Sequence, residues 1–154
     1  MLVWPVGAHI ERVATMSEPF TTQQQAFLGD QTPYPLEAFE FVRDGLEETA
    51  KAVHAQTWGS MELDRHINGS ELCIGLRDLA IRRWGSLART VLTCWSIRTT
   101  SDFGRLVFYL IDAGIFAKTA DDSIADFSNV FDFDEAFHVG DLQTQAWPDA
   151  AQRT

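Results

Sequence analysis

A chain of 154 residues with 45% hydrophobic and 22% charged side chains has room for one domain with a real core, and is too apolar to be disordered. Its formal net charge of −10 argues against a general nucleic-acid binder, which is normally basic, and favours basic or apolar partners. Cys73 and Cys94 both lie inside apolar helical runs, which suggests buried thiols in a reducing, cytoplasmic setting rather than a disulfide framework.

The start, MLVWPVGAHIERVATM, lacks a basic leader and is broken by Pro5 and Glu11, so it makes a poor signal peptide. No stretch approaches the roughly 18 apolar residues of a membrane span, and no membrane association is expected. Met16 opens an ordinary polar N-terminus. Residues 1–15 therefore read as an extension outside the fold, and residues 1–32 as a flexible N-terminal region with a glutamine run at Gln23–Gln25.

Pro35 suits the first turn of a helix, where its missing N–H costs nothing. From there Phe39, Val42, Leu46, Ala50 and Val53 recur at helical spacing, with Glu37, Glu40, Asp44, Glu47 and Glu48 on the other side. Gly45 either weakens this helix by about 1 kcal/mol relative to Ala or marks a close packing contact, and packing is the better account. Residues 56–67 form a loop with a short strand at 65–67.

The stretch from Asn68 to Lys118 carries three helical patterns in succession. Ser70 is the expected N-cap of the first, with Leu72, Cys73, Leu76, Leu79, Ala80 and Trp84 on one broad face and Gly85 as its stop. The second, Ser86–Ser96, repeats the pattern with Leu87, Ala88, Val91, Leu92, Cys94 and Trp95. The third is expected to start at Ser101 and to stop at Gly114. Its run of six apolar residues, Leu106–Ile111, reads as helix because of those end signals. Thr119 and Asp122 have capping-box spacing before a small helix reaching about Phe127. Val130–Phe133 alternates at period two like a short strand, and 134–137 could turn helical. Residues 138–154 read as a polar, frayed tail.

Charge is unevenly shared. Residues 1–69 carry 4 basic and 10 acidic side chains, residues 70–118 carry 7 and 4, and residues 119–154 carry 1 and 8. A mildly basic centre between acidic flanks invites the flanks to fold back on it, with screening by salt.

The sharpest motif is a helix-turn-helix at 86–114, followed at Ile115–Lys118 by the place where a winged-helix domain would start its first wing. The second helix offers few polar side chains for base edges, and the usual turn glycine is absent. A plain helical hairpin accounts for the pattern better. Arg82, Arg83, Arg89, Arg98 and Arg105, with Arg77, could face phosphate, but nearby Asp78 and Glu71 favour a solvated face. The histidines His9, His54, His66 and His138 show no metal spacing, and His66, beside Trp58 and Asp64, is the one to inspect, with structural hydrogen bonding its better account. Asp132, Asp134 and Glu135 lack the glycine and spacing of an EF-hand loop. No catalytic residue, cofactor or metal is expected. In DFSNVFDFDEAF (126–137), Phe127, Phe131, Phe133 and Phe137 interleave with acids, like a peptide that docks aromatics in a groove of its own chain or of a partner.

The phrases Phe41–Leu46, Arg65–Leu72, Leu87–Leu92, Asp102–Phe108, and Asp126-Phe127 with Asp132-Phe133 together resemble an uncharacterised family of small bacterial proteins of about this length. The resemblance covers roughly residues 34–137, implies one domain over that span, and implies no activity or catalytic residues. The expected architecture is a mainly α, compact single-domain helical bundle over 33–137, with at most a short two-stranded β ribbon from 65–67 and 130–133; a winged-helix-like arrangement is the variant. The expected role is a non-enzymatic interaction or adaptor domain that meets another protein, with Arg82, Arg83, Arg89, Arg98, Arg105, Phe131 and Phe133 as candidate contacts. A winged-helix-like nucleic-acid or ribonucleoprotein binder is the alternative.

Overall fold

A computed structural model of the chain describes residues 2–3, 19–56, 67–118 and 123–138. Along it run β1 (Leu2–Val3), α1 (Thr22–Gln31), α2 (Leu36–Gln56), α3 (Gly69–Trp84) and α4 (Ala88–Cys94). After these come α5 (Thr100–Asp112), β2 (Ala117–Lys118) and α6 (Phe133–Ala136). Single 3-10 turns at Gly85–Leu87 and Ile124–Phe127 join or extend them. The domain is mainly α and packs around one core.

The folded region starts earlier than the sequence predicts. α1 lies within residues 1–32, expected as a flexible extension. Thr21 caps it through a capping box with Gln24, and Leu28 is fully buried, with Phe20 beside it in the core. One buried leucine in a helix of glutamines leaves no apolar stripe to detect. Packing holds it instead: the Arg43 guanidinium lies 4.6 Å from the Phe20 ring centroid, a cation–π contact. Leu2 and Val3 pair antiparallel with Lys118 and Ala117, so part of the expected 1–15 extension joins a ribbon. Residues 4–18, like Trp58, Asp64, His66, Thr119, Asp122 and 139–154, lie outside the described residues.

α2 buries Ala38, Phe39, Phe41, Val42 and Leu46, two adjacent faces rather than one. Its crossing with α3 is close because each helix offers a glycine. A Cβ on Gly45 would run into Leu76, and one on Gly75 into the Thr49 side chain. Gly45 is therefore a packing contact. Thr49 Oγ1 also donates 2.7 Å back to the Gly45 carbonyl.

The N-caps of α3 and α5 both lie two residues before the expected ones. Asn68, not Ser70, caps α3: its Oδ1 accepts from the Glu71 N–H at 2.8 Å, and Glu71 Oε2 accepts from the Asn68 N–H at 3.1 Å. Ser70 instead donates its hydroxyl to the Asp126 carbonyl, 3.3 Å away. Thr99, not Ser101, caps α5, with Asp102 accepting from the Thr99 and Arg98 N–H groups at 3.1 and 2.9 Å. Gly85, at φ 52°, ends α3 as expected. The helix expected over 86–96 is a 3-10 turn followed by the seven-residue α4. Ser96 takes the left-handed turn conformation, φ 64°, that a glycine would adopt more cheaply.

The expected strand at Val130–Phe133 is absent. Asp132 Oδ1 accepts from the Asp134 and Glu135 N–H groups at 2.7 and 3.2 Å, and this local cap bends the chain into α6 before it can extend. Of the small helix expected to end at Phe127, the described residues show a 3-10 turn at Ile124–Phe127, capped by Ser123 with Asp126 rather than by the expected Thr119 and Asp122. Phe127 then docks where two helices lack side chains: Cβ atoms on Gly104 and Gly69 would lie 2.8 and 3.1 Å from its ring or Cβ.

Candidate interaction surface

The arginines of the central unit meet the chain's own acids. Arg82 pairs with Glu48, and Arg83 Nη2 lies 2.9 Å from Asp44 Oδ2, both on α2. Arg89 lies 2.8 Å from Asp134 and 5.5 Å over the Phe133 ring. Arg77 pairs with Asp78 at 2.9 Å and stands 5.8 Å over Phe131. Arg105 lies 3.3 Å from Asp102. Arg98 is exposed, and its guanidinium has no carboxylate partner among the described residues. Arg82 and Arg83 are thus matched by acids of α2, Arg77 by its neighbour on α3, Arg105 by an acid of α5 and Arg89 by one of the C-terminal segment.

The candidate aromatics are largely used up in the fold. Phe127, Phe133 and Phe137 are buried; Phe133 meets Phe103 at 5.6 Å, and Phe131 stacks on Phe133 at 5.6 Å and 20°. The Val130 N–H donates to Thr100 Oγ1 at 3.2 Å. The groove for this acidic, aromatic segment is thus in its own chain.

Tyr34 and Cys73 depart furthest from ordinary behaviour, and both are structural. Tyr34 donates its hydroxyl to Asp102 Oδ1 at 2.8 Å. Burial, reinforced by that carboxylate, pushes the phenol up to about 12. Burial alone pushes the Cys73 thiol up to about 12. Cys94, expected to be buried, is an exposed free thiol, because α4 turns that flank outward.

A shallow cavity of about 290 Å³ between the start of α1 and the end of α5 is lined by Thr21, Gln23, Gln24, Phe27, Asp112 and Ala113. Asp112 is the one ionisable side chain in that lining, which leaves no acid–base pair. Among the described residues no three His, Cys, Asp or Glu side chains gather as metal ligands, and no helix is long and apolar enough to cross a membrane.

What the fold does leave open is an apolar ledge at the α3–α4 corner. Leu87 is 61% exposed. Trp84, Val91 and Trp95, three, four and eight residues from it along the chain, are half-buried. The two indoles meet edge to face at 5.4 Å and 82°, and both lean on the buried Phe41 ring, at 5.2 and 5.9 Å. They are therefore held in place from below. Their sequence spacing of three, four and four residues reads as core periodicity, which is why the sequence assigns them to the interior. Compared with family models, with curated proteins and with solved structures, the chain matches none.

Proposed function

We propose that this protein is a non-enzymatic interaction domain that binds another protein through the Trp84–Leu87–Val91–Trp95 ledge, acting in the cytoplasm. The observation that carries the reading is Leu87, more than half exposed at the same α3–α4 corner as two half-buried indoles fixed on Phe41. Tryptophans held rigid at a surface are the usual anchors of protein interfaces, because little side-chain freedom is lost when a partner covers them. Both cysteines are unpaired, which suits a reducing compartment.

One observation favours the nucleic-acid alternative: β2 follows α5 where a first wing would begin. Against it, a phosphate must displace Glu48 from Arg82 and Asp44 from Arg83, on a chain of net charge −10. A comparative pull-down from native lysate tests the reading. A partner retained by the native protein and lost with Leu87→Gln supports it; identical retention by both proteins overturns it. Nucleic acid in the retained fraction, released steeply as salt rises, would favour the alternative.

A further inference from the structure

The charges around the ledge select among partners. On α2, Glu37 lies four residues before Phe41, with Asp44 three and Glu48 seven after it, so all three share the helix face on which the two indoles lean. Glu40 borders that face. Arg83 holds Asp44 and Arg82 holds Glu48, whereas Glu37 and Glu40 have no cationic partner among the described residues. The outer flank of α4 contributes Thr90, Thr93 and Cys94, which are uncharged, and Arg98 stands beyond Trp95. The edge next to Phe41 therefore carries two uncompensated carboxylates, in a protein with ten more acids than bases.

From this we infer that the ledge receives a cationic amphipathic helix of another protein. The inference rests on the ledge being a docking surface. Leu87, Val91 and Trp95 stand at intervals of four residues, from the last residue of the 3-10 turn to the cap that closes α4, a ridge of about 12 Å at near-helical rise. That length matches two turns of a partner helix presenting apolar residues at i, i+3, i+4 and i+7. Lysines or arginines flanking that stripe meet Glu37 and Glu40, which gives orientation and a faster encounter. A second copy of this chain is a poor occupant, since its own acidic rim would face the same carboxylates. An anionic lipid surface is repelled for the same reason.

The test uses the full chain and three synthetic helical peptides of about four turns that share one leucine stripe and carry Lys, Gln or Glu elsewhere. Binding is followed by titration and by the indole N–H signals of Trp84 and Trp95. The Lys peptide is expected to bind about tenfold more tightly than the Gln peptide, to shift both indole signals, and to lose most of its affinity with Leu87→Gln. The double variant Glu37→Gln/Glu40→Gln should bring the Lys peptide down to the level of the Gln peptide. Equal binding of Lys and Gln peptides, still lost with Leu87→Gln, overturns the cationic partner and leaves the ledge as a docking surface. Lys-peptide binding that ignores Leu87→Gln, or an absence of binding by all three, overturns the inference outright. Because Leu87 is exposed, the variant keeps its fold, which thermal unfolding and the remaining amide spectrum verify.

Discussion

The Tyr34 hydroxyl donates to Asp102 Oδ1 across 2.8 Å, joining residues 68 apart in sequence. The other oxygen of the same carboxylate accepts from the Arg98 and Thr99 N–H groups at 2.9 and 3.1 Å. One buried aspartate thus starts α5 and fastens the α1–α2 junction to it. Through α5 that junction is also tied to the segment that carries Phe127, since Thr100 receives the Val130 N–H.

Asp102→Ala removes a cap and leaves the Tyr34 hydroxyl without its partner in the interior. A loss of about 2–3 kcal/mol is expected from the hydrogen bonds to a charged acceptor. Tyr34→Phe should cost about 1.5 kcal/mol, and the double variant less than the two single losses together, because both break the same bond. Urea unfolding with an unchanged slope measures all three. Additive losses would show that the pair is not coupled.

Tyr34 also sets an alkaline limit. Its phenol titrates near 10 in the unfolded chain and at about 12 in the folded one. Below pH 10 both states keep the proton and the stability is fully present. Between 10 and about 12 the unfolded chain has released a proton that the folded chain still holds, so stability falls as pH rises through that window. Tyr34→Phe should flatten this decline. Tyrosinate absorbance in a Tyr109→Phe background, where Tyr34 is the sole tyrosine, reads the transition directly.

The acidic, aromatic segment is part of the core rather than a loose strap. Phe127→Ala should cost about 3–5 kcal/mol, the range for a buried phenylalanine. Gly104→Ala puts a Cβ 2.8 Å from the Phe127 side chain. It should cost about 1–2 kcal/mol even though alanine favours helix. Asp134, whose side chain is 82% exposed, should matter by less than about 1 kcal/mol. A large loss at Asp134 with a small one at Phe127 would invert this account.

The two cysteines should react differently. In native protein a thiol reagent is expected to label Cys94 promptly and to spare Cys73, which is buried and has its thiol pushed up to about 12. Denaturant should release the second equivalent. Mass mapping of the labelled site checks the order.

How far the fold is legible in the sequence depends on the element. α2, α3 and α5 carry apolar residues every three or four positions with Gly85 and Gly114 as stops, and physics leaves such stretches little alternative to helix. α1 escaped because it buries Leu28 alone within a polar helix, and tertiary packing, not periodicity, fixes it. The caps were displaced because Asn-Gly-Ser-Glu and Thr-Thr-Ser-Asp each offer several oxygen-bearing residues. The three-residue spacing to Glu71 and Asp102 decides between them, since the acid must reach back to the cap N–H. The strand at 130–133 failed where the Asp132 side chain competed for the backbone. The ledge was present as a pattern but not as a surface: spacing of three and four residues shows which side chains share a face, and only the short, outward-turned α4 shows that this face is left open.

The most direct test of the central claim compares Leu87→Gln with native protein in stability and in binding. The account predicts unfolding free energies within about 0.5 kcal/mol of each other, as for an exposed position, together with loss of the partner that native protein retains. A Leu87→Gln protein destabilised like a core variant, or one that retains the partner undiminished, would contradict it.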